Sequence, residues 1–342
     1  MRRVSILMPC RDAAPHLPAA IASLRAQTFD DFEVLAVDDG SADRTGEILH
    51  AWAREDGRVR VMQGHGRGLV PALATAHAGA RAELVARMDA DDLAAATRLE
   101  KQVALMDADP GIAACGTGVE YFPAHEVRPG ARRYEAWINA LLGPEEIARD
   151  IFIECPIPHP TLMIRRNVLQ GVGGYRELGW PEDYDLILRV WAAGYRMAKL
   201  PDVLHRWREG PERASRTDSR YSPAAFLRLK IHFLTRTLLA GGRPAVVWGA
   251  GPIGKRFALA LIDAGTPVAA FVEVDRKKIG QEIHRAPVVP QAEVRRFTDA
   301  RDPRHPGALV LAAVGQEGAR EEIRASCREL GLREGLDFVA VA

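Results

Sequence analysis

Three things this chain lacks narrow its function before any motif is read. Paired cysteines are missing: Cys10, Cys115, Cys155 and Cys327 are scattered, with no C-x-x-C among them. Neither a zinc site nor a disulfide framework is expected, and the thiols read as reduced. An excess of charge is also missing, since 46 basic side chains face 45 acidic ones for a net charge of +1. That excludes a nucleic-acid binder working through a broad basic surface. Finally, no apolar run approaches the ~20 residues of a membrane span. The apolar run at the start, in MRRVSILMPC, ends at Pro9 and is too short for a signal peptide. We expect a cytoplasmic protein, with peripheral contact at the inner face of the membrane left open. No internal repeat or low-complexity tract appears.

What is present is ordinary in bulk: 342 residues, 47% hydrophobic and 27% charged. That length favours two domains over one core. Val4 to Met8 reads as a buried strand closed by Pro9, and Leu17, Ala20, Ile21 and Leu24 follow helical spacing. Glu33 to Val37 reads as a second strand, followed at once by Asp38, Asp39, Gly40 and Ser41. Ser41, Asp43 and Thr45 are expected to cap the next helix. Arg58 to Met62 is a third strand, and a Gly-rich turn from Gly64 to Gly68 leads to a helix over Leu69 to Ala80. Alternating strands and helices of this length predict a mostly parallel α/β sheet with helices on both faces. Ligands in such sheets sit outside the carboxyl ends of the strands.

The stretch LVARMDADDL, Leu84 to Leu93, places three carboxylates within four positions after a β-compatible run. In extended chain, side chains two apart point the same way, so Asp89 and Asp91 would converge on one point. A hard divalent cation with oxygen ligands relieves such repulsion, and Mg²⁺ or Mn²⁺ is commonly shared with substrate phosphates. A solvated acidic turn that caps the next helix is the plainer reading of the same residues.

VSILMPCRDAAPHLPAAIASLRAQTFDDFEVLAVDDGSADRT resembles the opening of family 2 glycosyltransferases, which have a GT-A type nucleotide-sugar fold. ARMDADD resembles their metal-binding D-x-D segment, and HPTLMIRRNVLQGVGGYRELGWPEDYDLILRVW resembles the acceptor half with its E-D motif. The likeness runs over residues 1 to about 210. It implies roles position by position. Pro9, Asp12, Asp38 and Asp39 would hold the nucleotide, Asp39 taking the base or ribose, with Arg67 a further candidate. Asp89 and Asp91 would hold Mn²⁺ or Mg²⁺, with Asp89 also facing the nucleotide sugar. Asp183 would be the catalytic base with Glu182 beside it, and His159 would lie near the donor sugar or acceptor. The Arg-rich segment His205 to Arg208 and Arg213 to Arg216 resembles a mobile loop that closes over the diphosphate. One departure is AAATRLEKQ after Asp92, where relatives often place a proline at the helix start. Residues 123–150 show no clear periodicity before PEEIARDIF and read as a variable acceptor-side insertion.

Taken together, the first domain should span residues 1–212, a helical linker 213–243, and a smaller Rossmann-like domain 244–342. That second domain opens with a strand at Ala245 to Trp248 and then Gly249, Gly251 and Gly254 in G-x-G-x-x-G spacing. Glu273 follows the next strand, as a dinucleotide fingerprint requires. Yet 99 residues leave no room for a separate catalytic domain, and the same glycines serve tight strand-to-helix packing. NAD(P) is therefore not expected as a cofactor. The leading function is inverting sugar transfer from a nucleotide-sugar donor, UDP-linked by the habit of the family, to a glycan or lipid-linked acceptor. Three alternatives stay open. Nucleotidyl transfer would need a Gly-rich, Lys/Arg-bearing loop after the first strand, and Pro9-Cys10-Arg11-Asp12 is not one. An NAD(P)-dependent oxidoreductase would rest on the 249–254 glycines, and a non-catalytic regulator would bind nucleotide sugars without transfer.

Overall fold

The computed structural model describes residues 2–211, 213–299 and 307–342. By compactness the chain forms two units. Unit one comprises residues 1–147, 156–178 and 182–218; unit two comprises 148–155, 179–181 and 219–342.

Unit one is built on an eight-stranded sheet. In chain order its strands are β1 (Val4–Cys10), β2 (Phe32–Asp38), β3 (Val59–Gln63), β4 (Leu84–Arg87), β5 (Leu93–Ala94), β6 (Ile112–Phe122), β7 (Met163–Arg165) and β8 (Arg196–Arg208). The spatial order is β3-β2-β1-β4-β7-β6-β8-β5. β3, β2, β1 and β4 run parallel, β7 is antiparallel to both neighbours, and β6 and β8 are parallel again. Near-continuous apolar strands such as VSILMPC are what a sheet covered on both faces demands. Ile6, Met8 and Cys10 of β1 pack in one cluster with Leu84 and Ala86 of β4 and with Leu17, Ala20, Ile21 and Leu24 of the first helix. Each of the leucines, isoleucines and Met8 among them, fully buried, contributes about 1.5–3 kcal/mol. The parallel register of β1, β2 and β4 brings their carboxyl ends to the same edge.

Several local expectations change. The segment after Asp92 does not start a helix at once: Leu93–Ala94 pairs antiparallel with β8, and the helix begins at Arg98. Residues 123–150 are not irregular, because Pro129–Ala140 and Pro144–Asp150 are helices. The first buries only Ile138 in full, so almost no apolar stripe was there to be read. His205 to Arg208 do not follow a strand but end β8.

Unit two carries a six-stranded sheet: β9 (Ala245–Trp248), β10 (Val268–Val272), β11 (Glu282–Ile283), β12 (Ala286–Val289), β13 (Leu309–Ala312) and β14 (Phe338–Ala340). Its order is β11-β12-β10-β9-β13-β14, parallel except for β11. A charged core supports it. Arg324 pairs with buried Asp150 and bonds Glu334 and Glu321. Lys230, on the helix Pro223–Arg236, donates to the carbonyls of Ile153 (2.6 Å) and Val341 (3.0 Å). Among the described residues no helix is long and apolar enough to cross a membrane. All four cysteines are free and buried.

Because Asp150 is 2% exposed, removing Arg324 strands a buried charge, a loss that costs about 3–5 kcal/mol. Asp150 keeps Arg149 at 2.8 Å, so Arg324→Met should destabilise by about 3 kcal/mol, the low end of that range. Urea unfolding measures it. A loss within the ~0–1 kcal/mol of surface pairs would show that Arg149 alone suffices.

Candidate active site

The loops after β1 and β2 are laced together by short polar side chains. Asp12, at φ 47°, accepts from the Ala42 N–H at 2.7 Å, and its own N–H donates to Ser41 Oγ at 3.1 Å. Asp38 accepts from the Ser41 N–H and hydroxyl at 3.0 and 2.6 Å. Thr45 Oγ1 accepts from the Ala13 N–H at 2.8 Å, and Asp43 accepts from the Ala14 N–H at 2.9 Å. Ser41, Asp43 and Thr45 thus tie two loops together, and of the three Asp43 also meets the helix start, its Oδ1 accepting from the Thr45 N–H at 2.9 Å. The helix Thr45–Glu55 has Arg44 at its N-cap, with no side-chain cap.

Asp39 differs from its neighbours. It is 3% exposed, and one oxygen accepts from the Gly68 N–H at 2.7 Å. The other, Oδ1, is buried with no hydrogen-bond partner. An unsatisfied buried acceptor costs about 1–3 kcal/mol, a cost that a ligand N–H or O–H would remove. Gly64 covers this carboxylate so closely that a Cβ there would lie 2.6 Å from Oδ1. Arg67 is exposed in the same turn, and Pro9 lies within β1, beside Val37.

After β4 the acidic residues are not in extended chain. Ala90 and Asp91 form a turn, closed by the Asp92 N–H on the Asp89 carbonyl at 3.4 Å. The alternation argument for Asp89 and Asp91 therefore fails, although the turn still gathers their charge. Arg87, 2% exposed, donates to Asp89 Oδ1 at 2.6 Å and to the Met88 carbonyl at 2.7 Å. Asp92 is buried and accepts from His205 Nε2 at 2.7 Å and from the Arg208 N–H at 2.6 Å. Asp91 is the carboxylate left over. Burial, then Asp92 and Asp89, push its pKa up to about 7. A site of hard oxygen donors with uncompensated negative charge fits a divalent cation. Among the described residues no group of three or more His, Cys, Asp or Glu could hold a metal ion unaided, so water and substrate oxygens would complete the shell, as is usual for Mg²⁺.

Facing this turn electrostatically are residues from later in unit one. His159 is buried, with Nε2 3.1 Å from the Tyr175 hydroxyl and Nδ1 3.8 Å from Glu182 Oε1. Burial, reinforced by Arg87, drives its pKa well down, so the imidazole is neutral. Burial also raises the Tyr175 hydroxyl, and Glu182, Asp183 and Asp89 add to that while Arg87 opposes it. Glu182 is fully buried and Asp183 half-buried at the start of the helix Glu182–Ala192. The fold therefore gathers Asp89, His159, Glu182 and Asp183 around Arg87 and Tyr175. Sequence reasoning missed Arg87, Asp92 and Tyr175. A lone arginine inside the apolar run LVARM was the available signal.

The Arg-rich segment is held down. Glu209, 4% exposed, binds Arg213 at 3.0 Å and Arg216 at 2.6 Å. Arg213 also lies over the Trp207 ring at 4.1 Å, and Trp207 stacks on Tyr121.

The model for glycosyl transferase family 2 matches residues 5–173. The putative glycosyltransferase EpsE of Bacillus subtilis is 30% identical over 225 residues, 64% of this chain and 78% of that protein. The chain belongs to glycosyl transferase family 2. The amylovoran biosynthesis glycosyltransferase AmsE of Erwinia amylovora is 27% identical over 254 residues, 70% of this chain and 93% of that one. Among solved structures, S. aureus TarS 1–349 in complex with UDP-GlcNAc aligns at TM-score 0.55 and 20% identity, covering 69% of this chain and 67% of that one. The mannosyltransferase PcManGT of Pyrobaculum calidifontis in complex with GDP-Man and Mn²⁺ aligns at 0.53 and 20%, covering 78% and 74%. Unit one has the GT-A type fold of this family.

In unit two, Gly249 takes φ 120°, and a Cβ on Gly254 would lie 1.8 Å from the Gly249 carbonyl oxygen. Strand and helix could not approach this closely with side chains at these positions. Gly251 has open space around it. Glu273 folds back to accept from the Ala250 N–H at 3.3 Å and pairs with Lys278 at 2.9 Å. Close packing accounts for Gly249 and Gly254 with no ligand.

The Asp91 shift has a sign that can be tested. With its folded pKa near 7 against 3.8 for the free carboxyl, the folded state holds this proton more tightly. Its stabilising effect is complete below the free value and is lost as pH rises towards 7. In chelator, Asp91→Asn should therefore gain stability over the parent progressively between pH 4 and 7. Thermal melts across that window would show the gap opening, and a gap that stays flat contradicts the assignment.

Proposed function

We propose that this family 2 enzyme moves a sugar, with inversion, from a nucleoside-diphosphate donor to an acceptor hydroxyl during glycan synthesis at the cytoplasmic side. The observation that carries the reading is the convergence of the acidic turn Asp89–Asp92 with Glu182 and Asp183 around Arg87 and Tyr175. UDP is our choice of nucleotide and a glycan or lipid-linked alcohol our choice of acceptor. The complexes of TarS with UDP-GlcNAc and of PcManGT with GDP-Man and Mn²⁺ support the donor class, and the role of AmsE in amylovoran biosynthesis supports the pathway class.

In this reading Asp39 Oδ1 accepts a hydrogen bond from the base or ribose, while Asp12 and Asp38 keep the two loops in register around it. Asp89 and Asp91 would hold Mn²⁺ or Mg²⁺, Arg87 keeping Asp89 in place. Such an ion, when bound, neutralises charge on the diphosphate leaving group. Asp183 takes the proton of the acceptor hydroxyl as that oxygen bonds to the anomeric carbon. The bond from this carbon to the diphosphate oxygen breaks on the opposite face, through an oxocarbenium-like transition state. Glu182, with neutral His159 3.8 Å away, adjoins Asp183 in the chain. Transfer would lie in residues 1–212, with 213–243 connecting them to the Rossmann-like 244–342, which takes no part in the chemistry.

Asp183 has a competing role, since a carboxylate in the first turn of a helix gains about 0.3–1 kcal/mol from the dipole. If it is the base, Asp183→Asn should lower kcat by about 10²–10⁴-fold with donor affinity unchanged. If it only serves the helix, the rate should stay within a few-fold of the parent and stability alone should fall. Steady-state kinetics beside donor titration separates the two.

A further inference from the structure

A buried polar chain runs from Arg98 through His205 to Asp92 of the acidic turn. Arg98 and His205 are each 1% exposed. Arg98 Nη1 lies 3.2 Å from His205 Nδ1, and His205 Nε2 lies 2.7 Å from Asp92 Oδ2. A guanidinium can only donate, so Nδ1 accepts and the imidazole hydrogen sits on Nε2, donating to Asp92. One tautomer of a neutral histidine satisfies both neighbours.

This chain grips the turn at both ends. At its entry, Arg98 Nη2 donates to the Arg87 carbonyl at 2.7 Å, and Nε is anchored on Gln102 at 3.1 Å. At its exit, Asp92 takes His205 on one oxygen and the Arg208 N–H on the other. Arg208 Nε then holds the Asp91 carbonyl at 2.8 Å. The strands converge on the same point, since β5 pairs with β8 through Ala94 and His205. Every grip falls on a backbone carbonyl or on Asp92. Among the described residues, no other side chain donates to the Asp91 carboxylate, which stays free for a ligand.

We propose that His205 is a positioning residue for the metal-binding turn: through Asp92 it fixes the backbone that presents Asp91 to the divalent cation. The inference rests on the assignment of Asp91 as a metal ligand under Proposed function. An apolar residue at 205 would fill the same buried place on β8 but would leave Arg98 and Asp92 without their shared partner. Partners that orient a metal ligand in this way typically change metal affinity by about 10–100-fold when lost.

The test titrates Mn²⁺ into the full-length protein with UDP as probe, reading binding and, where transfer is assayed, the Mn²⁺ concentration giving half-maximal rate. His205→Phe should raise that concentration by about 10–100-fold, with excess Mn²⁺ restoring the rate, while His205→Gln, which keeps a donor for Asp92, stays within about threefold. UDP binding in chelator should be equal in all three proteins, because Asp39 is untouched. A merely structural role would lower the melting temperature and leave the Mn²⁺ midpoint alone. Should His205→Phe fail to fold, Asp92→Asn carries the same expected loss. Parent-like Mn²⁺ midpoints in His205→Phe or Asp92→Asn would overturn the positioning role alone. A parent protein whose UDP binding ignores Mn²⁺ would overturn the metal assignment and this role with it.

Discussion

Three carboxylates at the end of a buried strand repel one another, and the surrounding structure is arranged to hold them there. At about 4 Å and an effective dielectric near 20, one like-charge pair costs roughly 4 kcal/mol. Unit one answers with cations placed beneath and beside the turn. Arg87 is buried against Asp89, Arg98 reaches Asp92 through His205, and Arg208 donates its backbone N–H to Asp92 and its guanidinium to the Asp91 carbonyl. Two of these carboxylates are thereby paired. Asp91 is left with a pKa pushed up to about 7, so the turn retains an electrostatic strain that a divalent cation would relieve.

The sheet explains why this charge is useful. Parallel β1, β2 and β4 end at one edge, so the loop that carries Asp39 and the acidic turn both lie at that edge. Hydrogen bonds between Asp12, Ser41, Ala42 and Asp38 tie the two loops together. Buried Asp39 Oδ1 has no hydrogen-bond partner in the protein. The helix Glu182–Ala192 brings a second acidic pair towards the turn, with Tyr175 and neutral His159 between them.

Much of this was legible in the sequence. The βα alternation follows the spacing, and Glu182 and Asp183 open a helix. What escaped was tertiary. Asp89 and Asp91 are brought together by a turn and not by strand alternation, because Asp92 is pulled back by His205 and Arg208. The helix Pro129–Ala140 has too little buried surface to leave a periodic trace. Arg87 and Arg98 drew no role from the sequence, yet each is at most 2% exposed: Arg87 is buried against its near neighbours Met88 and Asp89, and Arg98 reaches His205, distant in sequence. The charged core of unit two draws on Asp150 and Ile153, which precede its sheet by about 90 residues and carry no local sign of that role.

The central claim is that Asp91 is the free carboxylate of a site that binds a cation together with a nucleoside diphosphate. Calorimetric titration of UDP into the parent protein and into Asp91→Asn, each with Mn²⁺ and with chelator, tests it most directly. The account predicts that Mn²⁺ tightens UDP binding to the parent and that Asp91→Asn loses this gain while keeping the weaker, metal-free affinity. Equal UDP affinity with and without Mn²⁺ in the parent, or an undiminished Mn²⁺ effect in Asp91→Asn, would contradict it.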